Sequence, residues 1–331
     1  MSSFNQVQQD RRRSRRDFRD WKKHHVRARG WLPAFQECRD EYGDIRYLTL
    51  CAKEAIDVRY FAQKGLLSRN REQNEYPFVT FVESDAEDYA FLAESLGKVR
   101  LAVHATLEDA LLNQGNPFYQ DLAGSFPYHI VNLDFCGQIV PPRDHPYSET
   151  MRAIERVVEL QSQSDLDHWY LFLTFSAQEQ HANQEANGQL EDIVSGNLAR
   201  EDFRASYGRR PAPGELRQRM YPEFLRLGVG KFLADRARHR GLTVDVQSSW
   251  LYSRADGEYY IVKLVLKFRR IQDQNALPDP HRAAQAYEAA VHNVFRSRPT
   301  NVDGLGRAER QQADQDLSGV VAELERSGII T

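Results

Sequence analysis

Residues 243–269 read TVDVQSSWLYSRADGEYYIVKLVLKFR. Apolar and polar residues alternate on both sides of Ala255-Asp256-Gly257, and an Asp-Gly step between two alternating runs is a strong hairpin signal. Thr243 to Tyr252 and Tyr259 to Arg269 are therefore predicted to pair antiparallel. The chain before them reads differently. Trp169 to Phe175 is almost unbroken apolar sequence, the composition of a central strand buried on both faces. A hairpin placed after such a strand closes a sheet that is parallel elsewhere.

Working back toward the N-terminus, short apolar runs alternate with amphipathic stretches from Ile45 onward, the pattern of βαβ units. Strands are predicted at Arg46 to Cys51, Phe78 to Val82, Val99 to Val103 and Tyr128 to Leu133. Helices are predicted at Glu54 to Lys64, with Gly65 as C-cap, at Asp85 to Leu96 behind an acidic first turn, from the cap residue Thr106 to Leu112, and at Tyr147 to Leu160. Ser68 to Glu75 reads as a polar loop, and Gln178 to Glu191, without a clear period, as a loop or polar helix start. Glu215 to Arg240 is strongly helical, and one or two charged amphipathic helices follow Asp279-Pro280, separated by a loop from Arg296 to Gly306. The expected fold is α/β, a doubly wound and mostly parallel sheet ending in an antiparallel hairpin. The expected segments are a basic helical extension (1–44), the α/β body (45–270) and a C-terminal helical extension (271–331).

The chain has 331 residues, 41% hydrophobic and 27% charged, with a net charge of −3. That is an ordinary globular composition with enough apolar residues for a sizeable core. No apolar run approaches the roughly 20 residues of a membrane helix, and the arginine-rich N-terminus is unlike a secretory signal, so a cytoplasmic location is expected. Cys38, Cys51 and Cys136 are too few for a disulfide framework and include no CxxC pair. The histidines, His24-His25, His104, His145, His168 and His181 among them, share no ligand spacing with Cys, Asp or Glu, so no metal is expected. GxxxxGK[ST] and GxSxG elements are missing as well, which removes the anchors of a phosphate-loop NTPase or an α/β-hydrolase.

Arg11 to Arg29 holds ten Lys/Arg against Asp17 and Asp20. Such a run suits a polyanion, and a solvated basic tail is the bland alternative. Trp21, His25 and Ala28 fall at helical spacing, so part of this segment is expected to dock by one apolar stripe.

The run of β/α units followed by a helix and a terminal hairpin, from about Ile45 to Arg270, resembles the class I S-adenosylmethionine (SAM) dependent methyltransferases. In open α/β sheets ligands sit at the carboxyl ends of the strands, so the resemblance implies a cofactor site in the loops there. The first loop, Cys51-Ala52-Lys53-Glu54, departs from the family by having no glycine. The resemblance places Cys51, Ala52 and Glu54 beside the cofactor, Glu83 on its ribose diol, and His104 and Thr106 toward its adenine. Asn132-Leu133-Asp134-Phe135-Cys136-Gly137 resembles the Asp-Leu-Asp-Pro-Phe-Gly loop of tRNA guanine dimethyltransferases without its proline. It implies a catalytic loop of Asn132, Asp134 and Phe135, in which Asp134 accepts from a target amino group and Phe135 stacks on the base. Bland readings stand beside these: an acidic helix start for Glu83, a turn cap for Asp134, a buried ring for Phe135.

The expected function is that of a SAM-dependent methyltransferase-like protein acting on nucleic acid, with Arg11, Arg12, Arg13, Arg15, Arg16, Lys22 and Lys23 on phosphates. The alternatives are a methyltransferase-like nucleic-acid-binding or scaffold subunit without catalysis, which the glycine-free first loop favours, and a small-molecule or protein methyltransferase. The C-terminal helices offer a partner or oligomer surface, although covering the sheet is their commoner use.

Overall fold

The computed structural model describes residues 20–70, 72–73, 75–140, 148–207, 215–253, 260–271 and 280–326. Arg11 to Arg16 and the Asp256-Gly257 turn lie outside them. Among the described residues, eight strands form one sheet in the order β3-β2-β1-β4-β5-β7-β6-β8. These are β1 (Tyr47–Thr49), β2 (Glu75–Glu83), β3 (Lys98–His104), β4 (Ile130–Gln138), β5 (His168–Ala177), β6 (Leu242–Ser253), β7 (Tyr260–Arg270) and β8 (Thr300–Asn301). The first five run parallel, and β7 is antiparallel to both β5 and β6. This is the doubly wound, mostly parallel sheet closed by an antiparallel pair that the sequence leads one to expect.

Two apolar layers enclose the sheet. Val131, Leu133, Leu171 and Leu264 face α5 (Leu107–Leu112), α7 (Glu149–Ser162), α8 (Gln184–Leu198), α11 (Tyr221–Arg238) and α12 (Pro280–Arg296). On the other face, Tyr47, Phe81, Phe172 and Val265 meet α1 (Trp21–Val26), α2 (Leu32–Tyr42), α3 (Ile56–Gln63), α4 (Ala86–Leu96) and α13 (Arg307–Arg326). Short helices α6 (Tyr119–Gly124), α9 (Glu201–Tyr207) and α10 (Glu215–Arg219) fill the connections. All ten residues of β5 are buried, as its apolar run predicts. Asp85 accepts from the Glu87 and Asp88 amides to start α4, and Thr106 accepts from the Asp109 amide to start α5, each satisfying donors that a helix start leaves open.

Several boundaries depart from expectation. β1 ends at Thr49, two residues early. β4 continues through the segment read as a loop, reaching Gln138 with a register shift after Asp134. The Gln/Asn-rich stretch folds as a 3₁₀ turn and then as α8, whose Ala186, Asn187, Leu190 and Val194 are buried. The helix expected over 215–240 breaks at Met220, ahead of Pro222 in the first turn of α11, where proline needs no amide partner. Thr300-Asn301, inside an expected loop, pairs in parallel with β6 as an eighth strand. Among the described residues no helix is long and apolar enough to cross a membrane.

Candidate functional site

The strand register lines up one row of side chains at the carboxyl edge of the parallel strands. Thr49 is opposite both Phe81 and Asn132, so two residues further on Glu83 and Asp134 stand level, with Cys51 in the loop that follows β1. Glu83 pairs with His104, Asp134 with Thr174, Thr174 with Lys263, and Lys263 with Trp250. Alternation along a strand points such a row to a single face. It is the face that α1, α2 and α3 cover.

The first loop is tightly folded. Cys51 is buried, and burial, reinforced by Asp57 and Glu83, pushes its thiol well above the ordinary range. The Ala55 amide donates to the Ala52 carbonyl at 2.8 Å. Ala55 closes this turn in the left-handed region, at φ 44° and ψ 45°, a conformation that favours glycine. Glu54 is buried, and desolvation raises its carboxyl.

Glu83, partly buried at the end of β2, accepts the Asp85 amide at 2.7 Å through Oε1, and burial raises its pKa. His104 is exposed and stacks on Tyr89, with ring centroids 4.7 Å apart. The Thr106 hydroxyl is engaged in capping α5.

Asn132 is held within the sheet face. Its Nδ2 donates to Thr49 Oγ1 and Asp57 Oδ2, both at 3.2 Å, and Asp57 Oδ2 also accepts from the Tyr47 and Thr49 hydroxyls at 2.5 and 2.8 Å. Asp134 faces Lys263, with Oδ2 3.8 Å from Nζ. Burial pushes the Asp134 carboxyl up, but Lys263, then Lys23 and Arg27, outweigh it and hold the group below the ordinary carboxylate range. Phe135 packs on the opposite apolar layer, with Leu133 and Leu173, so neighbouring strand positions send Asp134 and Phe135 to different sides of the sheet. Glu83 and Asp134 are thus brought into one row, and Phe135 is not.

Of the basic residues, Lys22 is engaged internally: its Nζ lies 2.6 Å from Asp303 Oδ1 and donates to the Ser253 carbonyl at 2.8 Å. The charge of Lys23 reaches Glu54, Asp134 and Lys263.

The sequence reading missed Lys263, Arg27 and Trp31. Lys263 is 0% exposed, and burial lowers its pKa to about 8 against the raising effect of Asp134. Its Nζ sits 4.9 Å from the centre of the Trp31 ring, which itself stacks on Phe172 at 5.0 Å. In β7, Ile261, Lys263, Val265 and Lys267 alternate with Val262, Leu264 and Leu266. Lysines in such an alternation signal a solvent face, and only the N-terminal helices lying over them make it an interior.

Among the described residues, two groups of acidic residues and histidine have ligand-like spacing, Glu37/Glu41/His168 and Asp202/Glu288/His292. Each already holds a cation: Lys267 pairs with Glu37, and Arg200 pairs with Asp202 and Glu288 at 2.7 and 2.5 Å. Cavities of about 240 Å³ beside Ala62, Gly65 and Arg69, and about 140 Å³ between α7, α8 and α11, lie away from the strand-end row.

No curated protein matches the chain. Among solved structures it is similar to M. jannaschii TYW2 in complex with AdoMet, at 10% identity and a TM-score of 0.32 over 72% of this chain and 77% of that one. It is also similar to PH1948 from Pyrococcus horikoshii, a proposed RNA methyltransferase, at 12% identity and a TM-score of 0.35 over 73% of this chain and 82% of that one. The family model described as PP_RS20740-like matches residues 15–317, nearly the whole chain, and the protein belongs to that family.

Proposed function

We propose that this chain is a SAM-dependent methyltransferase-like protein acting on nucleic acid. In this reading Glu83 anchors the cofactor ribose, Asp134 accepts from the target amino group, and the basic segment before α2 meets phosphates. The supporting observation is the register row, which has Glu83 and Asp134 level at the carboxyl edge of β2 and β4, on either side of β1, where open α/β sheets bind their ligands.

The residues fit the cofactor unevenly. Glu83 has one carboxylate oxygen engaged by the Asp85 amide, which leaves acceptor capacity for a diol. The first loop offers the methionine half side chains in place of glycine, with Cys51 and Glu54 already buried there. When bound, SAM supplies the methyl group; the chain's own part is to hold the ribose at Glu83 and orient an amino group at Asp134. Binding is expected to be weak and to rest chiefly on Glu83.

The test is calorimetric titration of SAM and S-adenosylhomocysteine into wild type and Glu83→Ala. Losing two charge-assisted hydrogen bonds is expected to weaken binding about a hundredfold or more. Tight wild-type binding that the substitution leaves unchanged would overturn the assignment. A second reading, a nucleic-acid-binding or scaffold subunit without catalysis, is favoured by the crowded first loop and by the commitment of Asn132 to Asp57. Its signature is salt-dependent nucleic-acid binding with no cofactor binding at millimolar ligand. For the segment boundaries at 44/45 and 270/271 we propose extensions that dock on one α/β body.

A further inference from the structure

Arg27, in the π-helical turn Arg27–Trp31 between α1 and α2, is 7% exposed, yet its Nε and Nη1 have no hydrogen-bond partner. Lys263 Nζ, also buried, has none either, and the Trp31 Nε1 donor is likewise unmet. The Arg27 guanidinium carbon and Lys263 Nζ lie 5.8 and 4.9 Å from the centre of the Trp31 ring. Lys263 faces the Asp134 carboxylate at 3.8 Å, beyond hydrogen-bond reach, and among the described residues no carboxylate is hydrogen-bonded to Arg27 Nε or Nη1. Asp20 adds a more distant negative charge, and Lys23 a further positive one.

A buried cation without a hydrogen-bonded counter-charge is unfavourable, and four unmet donors grouped around one indole ring compound that cost. Donor-only groups with surplus positive charge match one class of ligand, a tetrahedral oxyanion that accepts several hydrogen bonds at once. The Asp134 side chain, 20% exposed, marks where the cluster meets solvent.

We propose that Arg27, Lys263 and the Trp31 indole form a phosphate-binding subsite at the carboxyl edge of β4 and β5, beside the amino-terminal part of the antiparallel β7. It rests on and deepens the nucleic-acid reading above, since a nucleotide phosphate held there lies in the same row as Asp134. Arg27 and Trp31 supply directional donors, Lys263 supplies charge, and Asp134 limits affinity by repulsion so that the phosphate can leave.

The test is titration of inorganic phosphate and, separately, of a short 5′-phosphorylated single-stranded oligoribonucleotide, without cofactor and at ionic strength matched with chloride. Calorimetry and thermal melting are the readouts. Phosphate is expected to raise the wild-type melting temperature above the chloride control. Arg27→Gln and Lys263→Met should each weaken phosphate binding at least tenfold, while Arg27→Lys, which keeps the charge and is the variant to use if Arg27→Gln does not fold, should retain part of it. Oligonucleotide binding that falls with the same substitutions identifies nucleic acid as the source; binding of phosphate alone leaves a site for the free ion. No phosphate effect in wild type, or an effect that Arg27→Lys and Lys263→Met leave unchanged, overturns the proposal. Because SAM is absent, failure of the cofactor assignment and failure of this subsite are read independently.

Discussion

Ala55 concentrates the tension between sequence and site at the residue scale. A turn at the end of β1 is required to start α3 beneath the sheet edge, and the chain makes it with an alanine at φ 44°. Among the described residues this is the one non-glycine residue at positive φ. A Cβ in the left-handed region costs about 1–2 kcal/mol, whereas introducing glycine loosens the unfolded chain by about 0.4–1 kcal/mol. The first effect wins, so Ala55→Gly is expected to stabilise the fold by about 0.5–1 kcal/mol in urea denaturation. A destabilised variant would mean that the Ala55 methyl, fully buried against the apolar layer, contributes more than its backbone strain removes. No sequence signal exposes this position, because the family pattern expects glycine within 51–54 and the left-handed residue comes one place later.

Among the elements, the N-terminal helices decide what kind of site the sheet edge becomes. α1 and α2 join through the π-helical turn, and Gly30 within it lies against the hairpin strand β6: a Cβ there would come within 2.9 Å of Trp250 Nε1. Trp250 is buried, and its Nε1 is tied to Ser248 Oγ at 3.1 Å, so the indole has little freedom to withdraw. Gly30→Ala is therefore expected to cost about 1–3 kcal/mol, measured as a lower urea midpoint with an unchanged slope. A neutral substitution would show that the turn rides loosely on the hairpin. This docking was hard to read in advance. Trp21, His25 and Ala28 gave the helical spacing, but Lys22, Lys23, Arg27 and Arg29 between them read as a solvated or nucleic-acid-facing surface. Strands β2, β3 and β5 were legible because apolar runs bounded by polar turns have few other uses. The continuation of β4 past Asp134 was not, because Asp134 and Gly137 carry the composition of a loop and the strand is carried across them by pairing with β5 at Asp134 and Gln138 on either side of a register shift. Likewise the two-residue β8 has no periodicity to detect, and Lys263 belongs to an alternation whose polar side becomes interior only through a distant segment.

Over the whole molecule these helices create an interior that holds neutral histidines. His24 on α1 is fully buried edge-on to Tyr60, with ring centroids 4.8 Å apart, and burial, aided by Arg27 and Lys64, lowers its pKa to about 3. His129, stacked on Tyr42 and accepting the Arg46 amide at Nδ1, is lowered to about 4 by burial and then by Arg46. Protonation at Nδ1 would break that hydrogen bond. For both groups the unfolded chain takes up protons near pH 6.5 while the folded chain refuses them. Their contribution is thus fully present above about pH 6.5 and is lost as pH falls toward 4. At pH 5 each histidine is expected to remove about 2 kcal/mol. Glu54 and Glu83, whose raised pKa values favour protonation in the folded state, act in the opposite direction and offset part of the loss. Thermal melting between pH 7 and pH 5 measures the balance, and His24→Phe isolates one contributor, since it keeps an aromatic edge against Tyr60 without a titrating group. The variant should lose less stability than wild type across this interval while changing little at pH 7. Equal pH dependence in the two proteins would place His24 in contact with water, and the N-terminal helices would then not seal this face of the sheet.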